Sequence, residues 1–468
     1  MIKRNRRLKR VHFIGIGGSG MSGIAEVMLG LGYHVQGSDL NDSQQINRLK
    51  SQGAKIFIGH SRENICDADA VVVSSAIDND NCEVSEAYKL MLPVVARAEM
   101  LAELMRFCYS IAVAGTHGKT TTTSLIASLL AEGGLDPTYI IGGRLKSSNS
   151  NAKLGLSEFL VAEADESDAS FIHLKPMISV VTNIDFDHMS TYNNDVNELN
   201  QGFLTFLHNL PFYGLAILCT DDPGVRKILP KIGRSYISYG ISEKADVTAS
   251  NIKFLNKTTR FDVTRKNKKN KLKIQINLPG KHNILNALAA IAVASELDVE
   301  DNQIENAFKC FAGIDRRFQV INSVNCCDGS FTLIDDYGHH PSEIKATIEA
   351  VKLGWPDKKI TLVFQPHRFS RTRDLFDDFV DTLSTVDHVL IAEIYSAGEK
   401  PIDNINSKNI VSSLKDKTNK PVQYLPFLSN AIPILYKLMK NDEVLLVMGA
   451  GDVGKFAAEL PNELAGIK

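Results

Sequence analysis

The stretch that most constrains this chain is Tyr109-Ser-Ile-Ala-Val-Ala-Gly-Thr-His-Gly-Lys-Thr-Thr-Thr-Thr-Ser124. A short apolar and β-branched run, Ile111 to Ala114, breaks on glycines and enters an Ala/Leu-rich helical pattern that reaches Ala131. Strand, glycine turn and helix together cradle phosphate, because backbone N–H groups and the positive end of the helix converge on the anion. In that reading Lys119 brings an ammonium to the β- and γ-phosphates, and the Thr120 hydroxyl reaches Mg²⁺. The full phosphate-loop pattern puts its first glycine where this chain has Val113, so the match is the shorter Gly115-x-x-Gly118-Lys119-Thr120. The alternative is an ordinary strand-to-helix turn.

At 468 residues the chain is too long for one ordinary domain, and the length suggests about three. A formal charge of −2 gives no nucleic-acid signature. Seven scattered cysteines without a Cys-x-x-Cys pair point to neither a disulfide frame nor a zinc site, which fits a reducing cytoplasm. The basic opening Met1–Arg10 is followed by Val11–Gly18, too short and glycine-rich for a secretion signal. No run reaches the roughly 18 apolar residues of a membrane span.

Taken in order, Arg10–Ile14 reads as a strand running into Gly15-Ile-Gly17-Gly18-Ser19-Gly20-Met21 and a helix to about Leu31. A second strand follows, ending at Ser38-Asp39. The Gly-x-Gly-x-x-Gly turn with an acid 19 residues after its last glycine is the dinucleotide fingerprint, so a NAD-dependent oxidoreductase is a rival reading. The glycines themselves report only the close approach of a diphosphate. Buried-strand runs end at Ser74-Ser75-Ala76 and at Arg97, giving a doubly wound first domain over residues 1–107.

In a central domain over 108–313, two more apolar strands break into acids: Phe159–Ala162 into Glu163-Ala-Asp165-Glu166-Ser-Asp168, and Ile178–Val181 into Thr-Asn183-Ile-Asp185-Phe-Asp187-His188. Ligands sit at the carboxyl ends of strands in open parallel sheets, so these clusters and the phosphate turn are expected to converge. Carboxylate, hydroxyl and phosphate oxygens suit Mg²⁺. Glu163 is the favoured ligand; Asp168 and Asp185 read equally well as helix caps. Asn251–Leu278 alternates and is basic between Arg265 and Lys273, which suggests a hairpin with a solvated turn. In the last domain, 314–468, apolar strands end in Asp335-Asp-Tyr337-Gly-His339-His-Pro341, Gln365-Pro-His367-Arg368-Phe-Ser-Arg371-Thr372 and Glu393-Ile-Tyr395. A second Gly-x-Gly-x-x-Gly, Gly449 to Gly454, reads as a tight strand-to-helix turn.

Five clusters in this order, the fourth opening the helical pattern after Leu278, resemble the Mur ligase family over essentially the whole length: Gly115-Thr-His-Gly-Lys-Thr-Thr, Glu163-Ala-Asp-Glu-Ser-Asp, Thr182-Asn-Ile-Asp-Phe-Asp-His188, Gly280-Lys-His-Asn-Ile-Leu-Asn286 and Asp335-Asp-Tyr-Gly-His-His-Pro341. The resemblance implies three α/β domains, Rossmann-like at both ends with a P-loop-type ATPase between them. It implies ATP and Mg²⁺ as cofactors, and an amide made through an acyl phosphate. Gly15–Met21 and His367-Arg-Phe-Ser-Arg-Thr372 point to a member whose substrates are UDP-N-acetylmuramate and L-alanine. A sister activity joining a recycled tripeptide to the same sugar nucleotide is the nearest alternative.

The resemblance also implies roles. UDP would lie on Gly15, Gly17, Gly18, Ser19, Gly20, Met21, Ser38, Asp39 and Ser74. ATP would lie on Gly115, Thr116, His117, Gly118, Lys119, Thr120 and Thr121, with Asn283 and Asn286 at adenine and His282 stacking there. Arg317 and Asp335 would close over the nucleotide. Thr120 and Glu163 would hold one Mg²⁺ and His188 a second. Tyr337, His339, Arg368 and Arg371 would face the amino acid. If a helix begins beyond Pro366, the two arginines share one face, and His339 is a candidate to accept the amine proton. Some sister ligases support the second metal with a carbamylated lysine beyond the metal histidine. This chain has no lysine between Lys175 and Lys227.

Overall fold

The computed structural model of the chain describes residues 8–74, 76–78, 80–148, 150–242 and 244–466. The basic residues Met1–Arg7, and Ser75 of the expected Ser74-Ser75-Ala76 turn, lie outside them. The fold is mixed α/β with three successive sheets, as the strand-and-helix alternation implied. Contacts divide the chain into two units. One holds the residues up to Asn251 with Phe261–Gln275 and Asn283–Ala312; the other holds Ile252–Arg260, Ile276–His282 and the residues from Gly313 on. Among the described residues no helix is long and apolar enough to cross a membrane.

In the first unit, the five strands of the N-terminal sheet are all parallel. Arg10–Ile14 is central, His34–Asp39 and Lys55–Ile58 lie on one side, and Ala70–Val73 and Val94–Ala96 on the other. The near-continuous apolar runs suit strands covered on both faces. Gly37 is required inside its strand, because a Cβ there would sit 2.5 Å from the Phe13 carbonyl. The helix Ser19–Gly30 starts directly from the glycine turn.

The strand Tyr109–Ala114, buried from Ser110 onward, runs parallel between Phe159–Glu163 and Ile178–Val181 in a ten-stranded sheet. All three ends therefore point the same way, which brings the phosphate turn and both acidic clusters to one edge of the sheet. At the sheet's far end the expected single hairpin is instead three strands, Val247–Leu255, Thr258–Arg265 and Leu272–Ile276. Lys266 to Lys271 are exposed, as expected of a solvated turn. Arg265 is not: it is 4% exposed and bonds both Asp301 oxygens at 2.8 Å. A buried guanidinium needs that partner, and Asp301 supplies it from the first turn of the helix Asp301–Cys310.

In the second unit, Val444–Met448 lies parallel between Gly329–Asp336 and Ile360–Phe364, with His388–Ala392 and Val422–Leu425 beyond and Gln319–Cys326 antiparallel at the edge. The turn after Val444–Met448 is filled from within the unit. Arg316 bonds the Gly449 carbonyl, and a Cβ on Gly454 would collide with the same guanidinium. That second glycine motif is thus a packing turn.

Asp301→Ala should lower stability by about 2 kcal/mol, less than the full cost of breaking a buried pair because Asp301 is 39% exposed. Arg265→Met together with Asp301→Ala should recover most of that loss. Hydrogen bonding from Arg265 lowers the Asp301 pKa. The contribution is therefore complete above the unfolded value of about 4 and lost as pH falls through the folded one. Urea melts of the three proteins at neutral and acid pH measure both effects.

Candidate active site

The phosphate turn is built from left-handed backbone. Gly115 has φ +130° and Gly118 φ +83°. A Cβ on the first would lie 2.1 Å from the Thr182 hydroxyl, and on the second 2.5 Å from the Asn286 amide oxygen. Neighbouring residues are tied down by the next strand's loop: Asn183 accepts from the His117 N–H at 2.8 Å through its side chain and from the Thr116 N–H at 3.3 Å through its carbonyl. The helix Lys119–Glu132 then starts with no side-chain cap and no acid in its first turn, and Thr120 and Thr121 are buried there. An uncapped N-terminus with a lysine on it is a donor set that fits a polyphosphate.

Lys119 is turned back on its own turn. Its Nζ lies 2.8 and 2.9 Å from the two Glu166 oxygens and 2.7 Å from the Gly115 carbonyl. Burial alone would lower the ammonium's pKa, but Glu166, Asp165 and Glu163 outweigh it and hold the group protonated. The sequence reading placed Lys119 against phosphate and gave Glu166 no role. The signal available was that Glu166 is the third acid in its cluster.

A cleft of about 300 Å³ joins the first and central sheets. Gly18, Ser19, Gly20, Met21 and Ser74 line it on one side; Lys119, Gly142, Glu163 and Asp165 line it on the other. Two predicted groups thus share one cavity. Glu163 is anchored by the Gly142 N–H at 2.6 Å. Arg97, given no role from sequence, spans the cleft. It reaches Asp165 at 3.4 Å and Asp168 at 3.6 Å, and it lies over Gly20, where a Cβ would be 3.2 Å from its Nη1. It holds the Asp165 carboxyl low together with Lys119, against the opposing effect of burial.

His188 adopts φ +54° with its Nε2 3.5 Å from Asp187. Asp185 pairs with His117 at 3.1 Å. Asp168 accepts from the Ser170 N–H at 3.0 Å but precedes the cap position, Ala169, by one residue. Thr120 and Glu163 are oxygen donors, types that fit a hard divalent cation, and His188 is an imidazole donor for the second cation that the resemblance implies.

On the nucleotide turn, the Ser38 carbonyl accepts from Gly15 N–H at 2.8 Å and Ile16 N–H at 3.1 Å, and Asp39 accepts from Gly17 N–H at 2.9 Å. Asp39 thus stabilises the turn itself. Ser38 is fully buried, with its hydroxyl turned into the domain, so it supports the turn from behind. Asn283 and Asn286 are likewise buried. Asn286 accepts from Thr122 at 3.2 Å and packs under Gly118.

The second unit gathers its own group. Arg316 and Arg317 each lie 5.1 Å from the centre of the Tyr337 ring, and Arg316 reaches Asp335 at 3.6 Å. His282 packs by Gly280, whose Cβ would fall 2.7 Å from the imidazole. The His339 and His367 rings are 5.5 Å apart, and His367 stacks on Tyr395. The expectation that Arg368 and Arg371 share a helix face is corrected. The helix begins at Phe369, and Arg368 precedes it with φ +72°, so helical spacing does not apply to it. Arg368 is exposed; Arg371 is buried with Nη1 3.4 Å from His367 Nδ1. Asp374, nearby on the same helix, pairs with Arg373. Burial, with the charges of His339, Arg371 and Arg368, lowers the His367 imidazole to about 3.

Three family models match in sequence: Mur ligase family, catalytic domain, over residues 10–109; Mur ligase middle domain over 113–294; and Mur ligase, glutamate ligase domain, over 316–451. The chain is 53% identical over 459 residues to a UDP-N-acetylmuramate–L-alanine ligase from Methylococcus capsulatus, covering 98% of this chain and 97% of that protein. The solved UDP-N-acetylmuramate-alanine ligase from Thermotoga maritima is 28% identical with a TM-score of 0.82, covering 98% of this chain and all of that one. A murein peptide ligase from Psychrobacter arcticus shares the fold at 23% identity and a TM-score of 0.72, covering 98% of this chain and 99% of that one. With all three family segments matched in order, the chain belongs to the Mur ligase family.

Proposed function

We propose that this chain is an ATP-dependent ligase that joins the lactyl carboxylate of UDP-N-acetylmuramate to the amine of L-alanine, releasing ADP and phosphate, as a cytoplasmic step in building peptidoglycan precursors. The observation that carries the reading is one cleft lined by both the Gly18–Met21 turn and Lys119 with Glu163. A sugar nucleotide anchored on the turn has its far end directed toward the lysine. The 53% identical relative bears the name of this activity.

A carboxylate is a poor acyl donor until one of its oxygens becomes a leaving group. ATP supplies that group: an oxygen of the lactyl carboxylate attacks the γ-phosphorus and ADP leaves, and Mg²⁺, when bound, would offset the charge on the phosphates. Thr120 and Glu163 are the residues we assign to one cation and His188 to a second. Lys119 and Arg97 offset the negative charge where two anions must meet. The amine nitrogen then attacks the acyl carbon, the tetrahedral oxyanion collapses, and phosphate leaves.

The amine must arrive unprotonated. His339 Nδ1 lies 3.2 Å from the Tyr337 carbonyl, which can only accept, so Nδ1 carries the hydrogen and Nε2 is the basic nitrogen. We assign it the amine proton. His367 stays neutral in its half-buried stack, and Arg371, held against it, suits the α-carboxylate of the amino acid.

Phosphate release measured with each substrate omitted in turn, and with L-alanine replaced by a tripeptide, tests the assignment. Turnover should need UDP-N-acetylmuramate, ATP and L-alanine together; equal turnover with the tripeptide would favour the sister activity. Lys119→Ala should abolish turnover while UDP-N-acetylmuramate still binds, as read by calorimetry. Glu163→Ala and His188→Ala should each move the Mg²⁺ midpoint of the rate upward; an unmoved midpoint in both reassigns them to structure. Arg371→Ala should raise the KM for alanine roughly thirtyfold, a loss of about 2 kcal/mol, and leave ATP binding nearly intact. Alanine amide, without the carboxylate, should be a poor substrate for both proteins.

A further inference from the structure

Glu163 is the last residue of the strand Phe159–Glu163, and its side chain is held by main chain from the next strand. Thr138–Leu145 runs parallel to it, with Thr138, Tyr139 and Ile140 opposite Leu160, Val161 and Ala162. Beyond Ile140 this pairing stops. The Gly142 N–H then donates to Glu163 Oε1 at 2.6 Å, a side chain taking the place of a strand carbonyl.

The cause lies on the other side of the same strand. Thr138–Leu145 also pairs antiparallel with Ser150–Lys153, and there the register slips: Ile140 faces Ala152, but the next pair is Leu145 with Ser150. The residues between form a bulge, which bends a strand and re-aims its groups. Gly142 sits in that bulge. The hairpin is itself braced. Ile140 and Ala152 pack on the helix Ser19–Gly30 at Gly23, where a Cβ would lie 3.0 and 3.4 Å from them. The Asn151 amide donates to the Ser19 carbonyl at 2.8 Å. A donor in a braced bulge has little freedom to follow a carboxylate, so the carboxylate follows the donor.

Space, not backbone conformation, is what requires glycine here. Gly142 is not in the left-handed region, and it is exposed where it lines the cleft. A Cβ on it would nevertheless lie 2.8 Å from Glu163 Oε2 and 3.3 Å from Oε1 and Cδ. The obstacle to a methyl group is therefore the end of one flexible side chain. Alanine fits the strand and moves the Glu163 carboxylate.

We propose that Gly142 is a positioning residue for the cation: its N–H fixes the direction in which the Glu163 carboxylate meets the metal, and its lack of a side chain leaves that carboxylate in place. The inference rests on the assignment of Glu163 to Mg²⁺. Groups that hold a ligand from behind set its orientation, and through it the affinity for the metal.

The test is a titration of the full chain with Mn²⁺ in the presence of a non-hydrolysable ATP analogue, with the free ion followed by electron paramagnetic resonance. The wild type is compared with Gly142→Ala, Glu163→Ala and the double variant. Gly142→Ala should weaken Mn²⁺ binding by about tenfold and raise the Mg²⁺ midpoint of the rate by a similar factor. It should leave the melting temperature and the calorimetric binding of UDP-N-acetylmuramate unchanged. In the Glu163→Ala background the same substitution should add nothing, because Gly142 acts through that carboxylate. Wild-type Mn²⁺ affinity in Gly142→Ala, or a further loss in the double variant, overturns the proposal. Mn²⁺ affinity unmoved in Glu163→Ala overturns instead the assignment of the metal ligand, and this inference with it.

Discussion

Left-handed backbone at Gly115 and Gly118 is the constraint on which the central site depends. Those two conformations let the strand Tyr109–Ala114 reverse into the helix Lys119–Glu132 with the helix N-terminus open. They are held from outside, by Thr182 and Asn183 on the neighbouring strand's loop and by Asn286 from a helix far along the chain. Any side chain at Gly115 would have to displace Thr182. The turn is therefore a product of the sheet's strand order: the parallel neighbours that bring Glu163 and His188 to the same edge also clamp the glycines.

The parts legible in the sequence were those where an apolar run gives way abruptly to polar residues. A buried parallel strand needs several apolar residues in succession, and the first polar residue after it marks the edge of the sheet. That rule alone located Glu163, Thr182, Asp335 and Gln365 at or next to strand ends. Arg97 was hidden because its partners Asp165 and Asp168 belong to another sheet; only the folded cleft brings them together.

Arg368 and Arg371 illustrate a different limit. Their spacing is helical, yet the helix starts one residue after Arg368, whose φ of +72° turns its side chain away from the helical register. A shift of a single residue in a boundary separates one exposed arginine from one buried arginine. Arg265 is the same lesson for charge runs: five exposed neighbours, Lys266 to Asn270, do not make the first member exposed.

The pairing of Lys119 with Glu166 has a consequence for which anions the turn accepts. The ammonium already has a carboxylate at hydrogen-bond distance on both oxygens, so an incoming anion must compete with a counter-ion that is covalently part of the chain. A monovalent or singly attached anion offers little beyond what Glu166 already supplies. A triphosphate, reaching the helix N-terminus and the lysine together, gains several contacts for one exchange. By this competition the turn would favour chains of phosphates over a single small anion.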